Sequence, residues 1–379
     1  MILKRARALL VAGVCLAVEL PVLAQMPPGT AEAYNDAIAG GDESQMLQAA
    51  RDLAAAAIAH PEDPDAAVSA FEAGNQLCLR GACAEARPIA AFLRTLDGDL
   101  PVNTKQLDVL EAFANWSASK KDKSANKAFQ AVLTANVKTE PSYLTIAAFD
   151  TFVADRSGRP RWGVVHERAS LAAEHMKPVR NVLPVRWATM ALQSASAQFN
   201  ATKSIEAMRS VADVETALFE LREGEHADAL DLVYYKAYAW RSAMGAYYRS
   251  TDKKTYKLAE EIEEDVDSLN GSNEPYWGRA DGDEPDLCEG KPIAQPSPIY
   301  PRDAARNGYV GAVILGFDFV DGAPANYRVL ASVPDGAFEQ ASLDGMKTFR
   351  WEWDVEQKNP DCSRTSTDPA IYPMVYVLQ

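Results

Sequence analysis

Two serine and lysine pairs, Ser117-x-x-Lys120 and Ser124-x-x-Lys127, have the spacing at which a lysine activates a serine nucleophile. That chemistry is completed by S-D-N and K-T-G segments, and the chain has neither. His166-Glu167 and Glu174-His175 put imidazole beside carboxylate, but neither makes the H-E-x-x-H that grips zinc from one helix face. No G-x-S-x-G elbow and no phosphate-binding glycine loop occurs. All four histidines fall in a region that reads as helical, where they serve as surface or packing residues. The expectation is a non-enzymatic chain with no catalytic residue, no cofactor and no metal site.

The cysteines offer a second chemistry. Cys15 lies in an N-terminal stretch with the layout of a secretory leader. Lys4, Arg5 and Arg7 come first, then the apolar Ala8 to Val18, then Val22-Leu23-Ala24 before Gln25. Glu19 and Pro21 make the stretch a poor membrane span, which needs about 20 apolar residues. Val14 stands before Cys15 where a lipoprotein signal has a small residue. Residues 1–24 are therefore expected to be a cleaved signal peptide that delivers the chain to the periplasm, with a retained membrane anchor as the alternative. Cleavage removes three cations and one anion and carries the formal charge from −15 to −17.

Four cysteines remain, an even number that an oxidising compartment pairs. Cys78 and Cys83 stand close together around Arg80-Gly81, and Cys288 and Cys362 flank the C-terminal region. Of three connectivities, Cys78–Cys83 with Cys288–Cys362 is the expected one. Neither pair has the C-x-x-C spacing or a nearby histidine that a zinc site would use.

With 379 residues, 47% hydrophobic and 24% charged, the chain has globular proportions and room for more than one core. Its acidic balance, with a sequence pI near 4.8, argues against nucleic acid as a partner, because phosphate contacts need clustered Lys and Arg.

From about 30 to 270 the pattern is helix after helix. Breakers recur at Gly40-Gly41, Pro61, Gly81, Pro101, Pro141, Pro160, Asn200 and Gly224, and amphipathic stretches such as Ser44 to Ala59 and Leu107 to Ser119 lie between them. Helical hairpins stacked in series produce this rhythm. Ala33 to Asp42 resembles the end of a tetratricopeptide-type first helix and its turn. Tyr234, Tyr235, Tyr238, Trp240, Tyr247 and Tyr248 form one aromatic run, read either as a peptide groove or as packing between stacked helices. An acidic stretch from Glu260 to Asp267 and the turn formers up to Asp286 then mark a linker. Asp281, Asp283 and Asp286 lack the glutamate that closes a calcium loop.

After Val310 the period changes. Val313, Leu315, Phe317 and Phe319 alternate with Ala312, Ile314, Gly316 and Asp318, Asp321-Gly322 makes a tight turn, and Asn326 to Ala331 continues as a second strand. A helix opening at Pro334-Asp335, with Asp335 as N-cap, buries Phe338, Ala341, Ser342, Gly345, Met346 and Phe349. Met374 to Leu378 forms a last strand. Strand, strand, helix, strand is a small α+β layer.

This order, preceded by Pro298-Ile299-Tyr300-Pro301 and a short helix ending at Gly308, resembles the C-terminal domain of the TonB family over residues 295–379. Phe349 stands where that family has Trp, and Gly345 where it has Ala. The fold expected is thus multidomain α and α+β: a signal peptide (1–24), an all-α helical-hairpin solenoid (25–270), an acidic linker (271–294) and a β-β-α-β TonB C-terminal-like module (295–379).

The resemblance implies a binding role. A TonB-box-like peptide segment of an envelope or outer-membrane protein would add a strand to the sheet edge, through Gln295, Tyr300 and Pro301 and the last strand at Met374, Tyr376 and Leu378. The same exposed edge leaves a homodimer through the module open. An energised transducer of the family also keeps an N-terminal helix with a Ser-x-x-x-His face and a proline-rich spacer. Here no His precedes His60 and the middle is helical, so no direct proton-motive-force motor is expected. The transducer reading is the alternative if the N-terminal segment is a retained anchor. N-terminal sequencing of the exported protein is expected to begin at Gln25; recovery of residues 1–24 in an inner-membrane pellet would restore the anchored alternative.

Overall fold

The computed structural model describes residues 25–96, 100–157, 161–221, 227–269, 288–295, 298–356, 361–365 and 370–378. The expected leader and the linker aspartates Asp281, Asp283 and Asp286 lie outside them. Contacts group the chain into two units, one ending at Val132 and one beginning at Leu133.

The first unit holds α1 (Thr30–Gly40), α2 (Glu43–Ala59), α3 (Ala66–Leu79), α4 (Arg87–Thr95), α5 (Thr104–Ala118) and the start of α6 (Lys123–Asn136). Gly41, in the left-handed region at φ 77°, ends α1, and the Asp42 carboxylate then caps α2 by accepting from the Gln45 N–H at 2.8 Å. Along α2 the buried positions are Met46, Ala50, Leu53, Ala54 and Ala57, the one-sided stripe that the sequence period predicts. Small residues let the helices approach: a Cβ on Gly74 of α3 would meet Leu110 of α5 at 3.0 Å. The Cys78–Cys83 disulfide closes the turn after α3.

The second unit continues with α7 (Tyr143–Ser157), α8 (Trp162–Met176), α9 (Pro184–Thr202), α10 (Ile205–Leu221), α11 (Ala227–Arg249) and α12 (Lys253–Leu269). Each of these helices packs on the next, and α9 on α11 and α10 on α12 as well, which is the stacking of serial hairpins. Asn200 is not a breaker. Its side-chain N–H donates to the Ser196 carbonyl at 2.9 Å, and α9 runs on to Thr202 before Lys203 ends it at φ 51°. The aromatic run on α11 is packing: Tyr234, Tyr235, Tyr238 and Tyr248 are buried, and Tyr247 and Trp240 meet Phe199 edge-on.

Charge is buried among the last three helices. Arg241 of α11 donates to both carboxylate oxygens of Glu215 on α10, at 2.7 and 3.1 Å, and to Asp267 on α12 at 2.9 Å. The Tyr238 ring lies 5.3 Å from the guanidinium. Burial works against the charge on Arg241, but Glu215 and Asp267 outweigh it and hold its pKa above the ordinary value. One side chain thus fixes three helices in register.

The strands follow: β1 (Gly290–Ala294), β2 (Gly311–Val320), β3 (Ala323–Val333), β4 (Arg350–Trp353) and β5 (Ala370–Tyr376), with α13 (Arg302–Arg306) and α14 (Glu339–Met346) between them. β3, β2 and β5 form an antiparallel sheet in that order, and β1 pairs with β4 as a separate ribbon that periodicity did not reveal. Val313, Leu315, Phe317 and Phe319 of β2 join Phe338, Met346, Phe349, Met374 and Tyr376 in one core under α14. Asp335 does not cap α14 but pairs with Lys236 of α11 at 3.1 Å. The Glu339 carboxylate instead accepts from the N–H groups of Gly336 and Phe338, at 2.5 and 3.0 Å. Gly311 is required where it stands, because a Cβ there would lie 2.0 Å from the Val333 carbonyl oxygen and 2.5 Å from Phe338.

The other face of β2, with Ala312 and Ile314 fully buried, is covered by α11, which packs on β2, β3 and β5. This contact is why the second unit joins helices to sheet across the acidic stretch. Two outcomes are expected. Arg241→Met leaves Glu215 buried without its partner and lowers stability by about 3–5 kcal/mol, read from denaturant unfolding. Residues 288–379 expressed alone expose the face that α11 covers and bind an apolar dye far more strongly than the full chain does.

Candidate functional site

The sheet has two edges, and they differ. Along β3 the pairing with β2 slips twice, between Ile314 and Leu315 and between Gly316 and Asp318. Each slip leaves an extra residue on β3, so the strand bends and its outward groups fall out of line. Asn326 sits at the second slip with φ 53°, and both it and Arg328 are tied to the Asp318 carboxylate, at 3.1 and 3.0 Å. Bulges and charge of this kind blunt an edge against further strands.

β5 has no such break. It pairs with β2 continuously from Gly311↔Tyr376 to Phe317↔Ala370, and among the described residues no strand pairs with its outer side. Pro373, opposite Ile314, has no N–H and so occupies a position whose main-chain groups point away from β2. In an antiparallel ladder alternate residues share a direction, so Ile371 and Val375 also face outward. The open edge offers N–H donors at Ile371 and Val375, carbonyl acceptors at Ile371, Pro373 and Val375, and a gap in the donors between.

The six residues predicted to touch a partner are distributed unevenly around this edge. Met374 and Tyr376 point into the core, 4% and 2% exposed, so only their strand, not their side chains, reaches a partner. Tyr376 stacks on Phe338 with ring centroids 4.3 Å apart, and its hydroxyl meets that of Ser342 at 2.8 Å. Tyr300 is half-buried, edge-on to Phe338 and Tyr376, and donates its hydroxyl to the Tyr309 carbonyl. Burial raises the pKa of both tyrosines, which keeps their hydroxyls protonated. Pro301 is the extended N-cap residue just before α13, while Gln295 and Leu378 are exposed. Ile299, between Pro298 and Tyr300, is 84% exposed. Residue types did not point to Ile371 and Val375, but a proline inside a strand is a signal of an edge.

The segments entering this region are anchored. The Cys288–Cys362 disulfide and the Cys288 N–H, which donates to the Ser363 carbonyl at 2.8 Å, join the start of β1 to the segment before β5. The Trp353 indole donates to the Gly322 carbonyl at 2.7 Å and closes the β2–β3 turn from outside. Ser124 and His175, two of the residues singled out for catalytic spacing, have structural partners. The Ser124 hydroxyl bonds the Asp122 carboxylate at 2.8 Å, and the His175 ring, fully buried, meets the Thr145 hydroxyl at 2.8 Å and the Val137 carbonyl at 3.2 Å. Among the described residues, no group of His, Cys, Asp and Glu could hold a metal ion, and no helix is long and apolar enough to cross a membrane.

Neither a curated protein nor a solved structure matches the chain significantly. Residues 296–368 match the family model described as Gram-negative bacterial TonB protein C-terminal, and domains of that family are protein-interaction modules of the envelope. The hairpin, the helix on its face and the ordered apolar stripe bear out the resemblance, and the C-terminal module is a TonB C-terminal-like domain.

Proposed function

We propose that this protein is a periplasmic interaction protein that captures an extended segment of an outer-membrane or other envelope protein along β5. The observation that carries this reading is the contrast between the two edges: a regular, unpaired β5 against a twice-bulged, charge-tied β3. A strand laid on β5 gains main-chain hydrogen bonds at Ile371 and Val375, and neighbouring side chains set its register. The match of residues 296–368 supports an envelope partner, and the two disulfides accord with an exported chain, delivered by cleavage of residues 1–24. Helices from 25 to 270 then act as the scaffold on which the module is mounted.

The test uses the full mature chain, because α11 completes the sheet's second face. Peptides from the periplasmic N-termini of outer-membrane transporters are titrated against it, with backbone amide exchange as the readout. Binding is expected to protect the amides of Ile371 and Val375 and to leave those of β3 unchanged. Val375→Pro removes one outward donor and is expected to weaken binding by about 1 kcal/mol, roughly fivefold, with little change in melting temperature. Peptide binding that protects β3 instead of β5, or no binding by any transporter peptide, would overturn the reading.

A further inference from the structure

Lysines collect at one corner of the first unit. Lys120, Lys121, Lys123 and Lys127 lie on the α5–α6 turn and the first turns of α6, and all four are exposed. From Ala112 to Val132 the only carboxylate is Asp122, in a chain whose formal charge is −15. Elsewhere in this unit Arg51 is neutralised by Glu85, and Arg94 by Asp108 and Glu111, while Arg80, Arg87 and Lys105 stand apart from one another in sequence. Among the described residues, none of the four lysines is in an ion pair, although Lys120 Nζ lies 5.0 Å from the Trp116 ring.

The turn that presents them is held firmly. Trp116, fully buried, stacks on Phe129 at 5.0 Å and donates its indole N–H to Asn126 at 3.0 Å. The Asn126 amide in turn donates to the Lys120 and Asp122 carbonyls, at 2.8 and 2.9 Å. Asp122 caps α6 by accepting from the Ser124 N–H at 2.8 Å. The four exposed lysines therefore stand on a preorganised backbone.

The side chains indicate the kind of partner. Lysines are mobile point charges without the fork that selects a single carboxylate or phosphate, and they suit a surface of many fixed anions. A protein interface has a desolvated centre of aromatic or apolar anchors, and the exposed residues from Ser119 to Ala128 are Ser, Lys, Asp and Ala alone. Each Lys or Arg held near an anionic lipid surface contributes about 1 kcal/mol of attraction, and groups of four or more beside a membrane span or on a helix face bind such surfaces. We propose that the Lys120–Lys127 corner docks the protein on an anionic phospholipid surface.

Flotation of the mature chain with phosphatidylglycerol and with phosphatidylcholine vesicles tests this. Partition onto phosphatidylglycerol alone is expected, falling on the order of fivefold for each of Lys120→Gln, Lys121→Gln, Lys123→Gln and Lys127→Gln as they are combined, and collapsing at high salt. Replacing Lys253, Lys254 and Lys257 by Gln is expected to leave partition unchanged, with circular dichroism confirming that every variant is folded. Three results would each overturn the proposal: equal partition of the fourfold variant, equal loss in the Lys253 set, or binding to a soluble polyanion with none to vesicles.

Discussion

The contact on which the second unit depends is α11 held between helices and sheet. A helix that is apolar nearly all round must be covered on more than one side, and α11 meets that condition with Leu230, Tyr234, Ala237, Ala239, Ala243 and Met244 all at 0% exposure. On one side Arg241 joins it to Glu215 and Asp267, and another side lies against β2, β3 and β5. Buried ion groups contribute little net stability compared with well-packed apolar residues, but they penalise every misaligned arrangement. The Arg241 network joins α10, α11 and α12, and the sheet packs on the same α11.

The position of the sheet has consequences for recognition. A three-stranded sheet with one face under α14 and the other under α11 has only its edges left for an incoming strand. Two such edges would be two routes to uncontrolled pairing. The slips on β3 and the Asp318 contacts with Asn326 and Arg328 disable one of them. Pro373 limits the other without closing it, since the strand keeps donors on both sides of the missing N–H. The Cys288–Cys362 bond and the indole of Trp353 hold the surrounding ribbon in place by few but specific links.

Much of the architecture was legible because it is written in short-range patterns. Helical stripes such as Ser44 to Ala59 and Leu107 to Ser119, two-fold alternation through β2 and the Asp321-Gly322 turn are properties of consecutive residues, and the structure places elements where they predict. The cysteine pairs were also legible, from parity and from position. Asn200 and Asp335 misled for one reason. An amide or carboxylate that favours a turn or a cap is overruled when another partner is nearer, here the Ser196 carbonyl and the Lys236 ammonium.

The sequence alone determined the run of helices, the β2–β3 hairpin with α14 and β5 after it, and their buried stripes, since these follow from local periodicity, and its ordered motifs carried the resemblance of the C-terminal module to the TonB family. Only the tertiary structure decided that Ala312 and Ile314 face a helix more than sixty positions earlier in the chain, that β5 pairs with β2 without a break while β3 is bulged, and that Met374 and Tyr376 turn inward. Those outcomes depend on which faces meet and in what register. That is a contest between distant segments for the same apolar surface, and no window of neighbouring residues contains both contestants.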